Sequence, residues 1–115
     1  MNARAHVVCG LLLGLGAGCG DGTSDKTCGQ DRPITYEADV APLVARSCTT
    51  CHSSTAIDRR GAPASVNFDT YDACCTNAEH ANVHIQEGAM PPAAALPDQD
   101  KCVFQAWVDG GLQRN

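Results

Sequence analysis

The chain has 115 residues, room for one small domain, and a formal charge of −5 at pH 7. That acidic balance leaves no basic patch to neutralise phosphates and excludes a nucleic-acid role. Two phenylalanines, two tyrosines and one tryptophan make a core of this size marginal without a covalent staple or a bound apolar group. At the N-terminus, Met1 to His6 carries one fixed positive charge, Arg4. Val7 to Leu15 is an apolar run too short to span a bilayer as a mature helix, and the small residues Gly16-Ala17-Gly18 follow it. A charged start, a short apolar middle and a small-residue end predict a secretory signal over residues 1–18. Its removal takes Arg4 and moves the formal charge from −5 to −6.

Cys19, directly after the small residues, resembles the lipobox cysteine of bacterial lipoproteins. That family usually has Leu three positions before the cysteine, where this chain has Gly16. The resemblance implies diacylation of the Cys19 thiol and cleavage before it, and two or three acyl chains suffice for stable membrane attachment. The alternative is an ordinary signal peptide cut nearby. Either way the mature chain is expected to be exported and periplasm-facing. Gly20, not Asp, follows the cysteine, which leans the anchor toward the outer membrane rather than the inner. The rest of 19–33 is polar and without apolar period, a flexible tether with a reach of roughly 20 Å.

The folded domain is predicted over 34–115. Tyr36, Val40, Leu43 and Val44 recur at helical spacing, with Asp39 as N-cap and Pro42 at the harmless third position, and this helix runs into Cys48. Residues 53–65 read as a surface loop, and Val66 and Phe68 as anchors where it returns to the core. Asp69 or Thr70 caps a second helix over about 71–79. Val83 and Ile85 suggest a short further turn before Gly88, a natural stop. Ala89-Met90-Pro91-Pro92 is expected to be extended, since each proline disfavours helix in the residue before it. Asp98 caps a last helix through about Asp109, burying Val103, Phe104, Trp107 and Val108. No repeat and no convincing strand occurs, so the class is all-α, three to five short helices with long loops.

Eight cysteines fit an exported protein. Cys9 falls in the signal, Cys19 is the lipidation candidate, and Cys48 and Cys51 belong to a motif. The remaining four, Cys28, Cys74, Cys75 and Cys102, allow three pairings. Adjacent Cys74 and Cys75 would close a strained ring, so one of them is expected to join Cys102 and the other Cys28.

Cys48-Thr49-Thr50-Cys51-His52 is C-x-x-C-H. Two thiols three residues apart on a helical turn can add to the two vinyl groups of a haem, and the next residue then presents its imidazole to the iron. The string signals c-type haem attachment. A thioredoxin-like pair needs a βαβ pattern that is missing here, and a structural zinc site needs a second spaced Cys or His pair. Apart from the initiator, Met90 is the only methionine, 38 residues after His52 on a proline-stiffened segment. It is the candidate second ligand, although methionine is also a common core filler. His80 and His84 compete for that position but lie in a polar stretch typical of solvated histidines. Met/His ligation raises the potential of such an iron.

With these strings in place, the sequence resembles the small monohaem cytochrome c domains of bacterial secreted and lipid-anchored proteins. The likeness covers roughly 35–112 and rests on C-x-x-C-H, jointly with Tyr36 and Asp39-Val40-Ala41-Pro42-Leu43, Asn67-Phe68-Asp69-Thr70-Tyr71, Met90-Pro91-Pro92 and Phe104-x-x-Trp107. It implies a cytochrome c-like fold around one haem c per chain, with an N-terminal helix crossing a C-terminal one. It further implies that His52 and Met90 take opposite faces, while Tyr36, Leu43, Phe104 and Trp107 form the helix contact. Both axial positions would be filled, so the expected function is electron transfer rather than catalysis. With Lys26 and Lys101 the only lysines, a redox partner with a basic or neutral docking face is expected. Two alternatives stand beside it: a haem enzyme or gas sensor with an open distal site, and a disulfide-braced lipoprotein binding module without haem.

Overall fold

Residues 27–115 are described by a computed structural model of the protein; the predicted signal, Cys9, Cys19 and the first part of the tether lie outside the described residues. The chain enters its first helical segment at Thr35, whose extended backbone and Oγ1, accepting from Ala38 N–H at 3.4 Å, open the first turn. Asp39 therefore does not act as the N-cap. It lies inside the segment and points back, its Oδ2 accepting from Thr35 N–H at 2.9 Å. Tyr36–Val40 is a π-helical turn that continues into α1, Ala41–Ser47. The widened turn has a cause in Pro42. In a continuous α-helix beginning at Thr35, the Pro42 ring would meet the carbonyl four residues back. Opening the preceding turn to five-residue bonds, such as Ala41 N–H to Tyr36 O, relieves that clash.

Two further helices complete an all-α fold without strands among the described residues. Helix α2, Tyr71–Glu87, is capped by Thr70, whose Oγ1 accepts from Ala73 N–H at 3.2 Å. The other cap candidate, Asp69, instead accepts from Ser54 N–H at 2.7 Å across the loop. The expected break near Glu79 does not occur. Cys74, Ala78, Asn82 and Ile85 are buried at steps of four, four and three, one stripe that carries the helix on to Gly88. Gly88 adopts the left-handed conformation (φ +78°) and ends it. Helix α3 spans Asp98–Asp109, with Pro97 rather than Asp98 in the cap position. Asp98 and Asp100 fall in its first turn, where negative charge suits the helix dipole. No helix among the described residues is long and apolar enough to cross a membrane.

Trp107, Phe104, Leu43, Val40 and Cys74 are the largest fully buried side chains, and they join the first segment to α2 and α3. Tyr36 packs against Trp107 (ring centroids 6.0 Å) and Tyr71 (5.2 Å). Val108, expected in the core, is only half-buried. Buried Asn82 donates to Gln105 Oε1 at 2.8 Å and accepts from Gln86 Nε2 at 3.0 Å, a satisfied polar link between α2 and α3.

The expected disulfide pairing needs correction. Cys28 joins Cys102, whereas Cys74 and Cys75 are free thiols. Cys74 faces the core, its Sγ donating to Phe68 O at 3.5 Å, and burial pushes its thiol up to about 12. Gln99 Nε2 donates to Cys28 O at 2.9 Å, and Arg32 pairs with Asp39 at 2.8 Å. The tether is thus fastened to the domain over its last residues, 28–33.

The bridge spans 74 residues. A double Cys28→Ser, Cys102→Ser variant is therefore expected to lose roughly 2–5 kcal/mol in urea denaturation. A second test concerns Asp39, whose side chain is 7% exposed. The Arg32 guanidinium, with Thr35 N–H and Gln30 assisting, holds the Asp39 carboxyl below its ordinary 3.8. The folded-state value is the lower one, so this stabilisation is present above the unfolded value and lost as pH falls through the folded one. Asp39→Asn is expected to cost about 1–2 kcal/mol near neutrality. The difference from wild type should shrink in strongly acidic urea titrations.

Candidate functional site

Helix α1 unwinds into the C-x-x-C-H string without leaving a helical course. Cys48 N–H donates to Val44 O at 2.9 Å, Cys51 N–H to Cys48 O at 3.2 Å and His52 N–H to Cys48 O at 2.9 Å. These bonds wind Cys48, Cys51 and His52 into one turn at the edge of a cavity of about 530 Å³. That is within the roughly 300–1,000 Å³ usual for small-molecule and cofactor sites. Val66 and Phe68 extend the same wall, Ala81 and Ile85 of α2 form a second, and Met90 to Ala93 with Leu96 form a third. All four residues that the sequence nominates, Cys48, Cys51, His52 and Met90, line this one cavity.

His52 is held in a defined state. Its Nδ1 lies 3.0 Å from Val66 O; a carbonyl only accepts, so Nδ1 carries the proton and Nε2 keeps its lone pair in the neutral ring. Phe68 meets the imidazole edge-on at 5.4 Å between centroids, and Phe68 N–H donates to His52 O at 2.8 Å. An imidazole fixed through one nitrogen by a backbone carbonyl, with the other left available, is the arrangement of a metal-ligating histidine. Burial pushes the Cys48 thiol up to about 11, so it stays protonated near neutrality. A thiol-exchange pair would need the opposite shift.

Met90 is 38% exposed, which removes the core-filler explanation. Its position is set by the end of α2: after Gly88 turns the chain, Ala89 N–H and Met90 N–H both donate to His84 O, at 2.9 and 3.2 Å. The segment is non-helical, as the prolines require, with a cis Met90–Pro91 bond.

Two features of the cavity were not legible in the motif. Arg59 donates through all five guanidinium N–H groups: to Ala62 O at 3.2 Å, Asn67 Oδ1 at 2.9 Å, Val66 O at 3.1 Å, and the carbonyls of Ser53 and Pro63. It thereby fastens the loop that carries the Val66 carbonyl against His52. Nothing in a basic pair on a predicted surface loop distinguishes it. His80 and His84, expected as solvated side chains, also line the cavity, with their Nε2 atoms 3.2 Å apart. Their four-residue spacing on what proves to be one continuous helix was the available signal. Among the described residues no three His, Cys, Asp or Glu side chains converge as a metal cage.

Comparison with family models, curated proteins and solved structures finds no match for this chain. The likeness to monohaem cytochrome c domains therefore rests on the residues named above.

Arg59→Lys retains the charge but cannot reproduce a five-donor planar fork. It is expected to destabilise the domain by roughly 2–3 kcal/mol in urea denaturation. Faster amide hydrogen exchange at Phe68 would accompany the loss, since the loop return would loosen.

Proposed function

We propose that this protein carries one covalently attached c-type haem and transfers single electrons. The observation that carries this reading is the convergence of Cys48, Cys51, His52 and Met90 on one cavity of cofactor size. The residues present fit such a group. Cys48 and Cys51 would hold it through thioethers, His52 through Nε2 and Met90 through its sulfur. Val66, Phe68, Ile85 and Leu96 would give the macrocycle apolar contact. Bound there, the haem supplies an iron centre that takes up and releases one electron, tuned toward higher potential by a thioether ligand.

The chain's own residues do the rest. Val66 O fixes the His52 tautomer, Arg59 fixes Val66, and His84 O fixes the Met90 backbone. With two protein ligands there is no open position for a substrate, so the protein performs no bond chemistry of its own. An exported, Cys19-anchored domain with an acidic surface suits a fixed relay at a membrane, outer rather than inner. Its redox partner would present a basic or neutral face.

Intact mass together with a pyridine haemochrome spectrum, on protein expressed with cytochrome c maturation machinery, tests the reading. One haem per chain is expected, and none in Cys48→Ser, Cys51→Ser. Absence of covalent haem in wild type would overturn it in favour of a binding module. Met90→Ala is expected to lower the potential and open the ferrous form to carbon monoxide. Rapid carbon monoxide binding by wild type would instead indicate an enzyme or sensor with an open site.

A further inference from the structure

His80 and His84 stand one turn apart on α2, their rings edge-to-face at 4.6 Å between centroids and their Nε2 atoms 3.2 Å apart. A ring nitrogen of each histidine therefore faces the other across one helical turn. The spacing also matches a bidentate bite. With metal–nitrogen bonds of roughly 2.0–2.1 Å, nitrogens 3.2 Å apart subtend about 100° at the metal. That value falls between the right angle of a tetragonal site and the tetrahedral angle, so the spacing suits either geometry. Glu87 Oε2 lies 4.0 Å from His84 Nδ1, which adds negative charge beside the pair. His80 is exposed and the His84 side chain is 39% exposed, so solvent reaches both rings although they also line the cavity.

We propose that His80 and His84 form a chelating site for a divalent transition-metal ion, separate from the His52/Met90 pair. Water completes the coordination, because no third His, Cys, Asp or Glu joins the pair among the described residues. An imidazole pair with solvent in the remaining positions selects ions by the usual affinity order, in which Cu²⁺ ranks above Zn²⁺ and Ni²⁺. The site is exchangeable rather than structural: its two ligands sit on an already formed helix, so folding does not depend on occupancy.

The test uses the exported chain, titrated with Cu²⁺ and followed by calorimetry and by electron paramagnetic resonance of the bound copper. One Cu²⁺ per chain with nitrogen couplings from two imidazoles is expected. His80→Ala and His84→Ala are each expected to weaken binding at least about tenfold and to remove one nitrogen coupling. Far-UV circular dichroism should stay unchanged, since both side chains are accessible. Equal Cu²⁺ affinity in wild type and both variants would overturn the proposal, because the copper would then reside elsewhere. So would a single-nitrogen spectrum in wild type. The haem content of the same samples, read from their visible absorption, reports separately on the electron-transfer reading.

Discussion

One backbone carbonyl ties the C-terminal residues both to the buried tryptophan and to the start of the first helical segment. Gln113 O accepts from the Trp107 indole N–H at 3.0 Å and from Tyr36 N–H at 2.8 Å, using both of its lone pairs. Trp107 is fully buried, and without an acceptor its indole nitrogen would incur the desolvation cost of an unpaired donor, about 1–3 kcal/mol. The same carbonyl satisfies a free N–H at the start of the first helical segment, where no intrahelical partner exists. The neighbouring C-terminal residues extend the clamp: Tyr71 OH donates to Leu112 O at 2.7 Å and Glu37 N–H to Arg114 O at 3.0 Å. Three chain segments far apart in sequence are thereby fixed around one tryptophan.

The cavity follows from that arrangement. With Tyr36 fixed against Trp107, Val40, Leu43 and Val44 join the same buried cluster as Val103 and Phe104 of α3, and this fixes where α1 delivers Cys48. The Arg46–Asp100 ion pair at 2.8 Å sits between the same two helices, but it is solvent-exposed and worth little. Leu43 and Phe104 both belong to the buried cluster that carries the apolar contribution. On the other side the 53–69 loop has too few apolar residues to pack itself, and Arg59 substitutes hydrogen bonds for a core. The result is a cavity whose walls are held by backbone bonds and one guanidinium, and whose interior the chain does not fill with its own side chains.

Much of this was legible in the sequence, and the residues show why the remainder was not. The all-α class, α3, the Gly88 stop and the turn of the C-x-x-C-H string follow from local chemistry: apolar spacing, a glycine at a left-handed position, two cysteines on one helical turn. The start of the first helix was displaced because Asp39 is a good cap by type. Thr35 wins since Asp39 is better used facing Arg32 and the Thr35 N–H. The continuity of α2 was hidden by the polar string from Asn77 to His84, whose buried members, Ala78 and Asn82, carry little hydrophobicity of their own. Disulfide pairing depends on where α2 directs Cys74, toward Phe68 and the core, and spacing alone does not encode that direction. Arg59 was invisible for the same reason: its five acceptors are backbone or amide oxygens brought together only by the loop.

The position of Met90 shows how a helix end can place a side chain that no regular element carries. Residues after Gly88 have no helix to order them, and two prolines prevent one from forming. Order comes instead from the carbonyl of His84 near the C-terminus of α2, which accepts from Gly88 N–H and also captures the N–H groups of Ala89 and Met90. Gly88 is required because its φ of +78° turns the chain back toward that carbonyl, a conformation costing an L-residue roughly 1–2 kcal/mol. Beyond Met90, Pro91 and Pro92 have no N–H to offer, so the capture stops there. A half-exposed thioether is thus held to the wall facing the cavity by backbone bonds alone. The His84 that supplies the carbonyl also turns its imidazole to His80. One residue therefore couples the proposed sulfur ligand to the histidine pair, and displacing the end of α2 would disturb both.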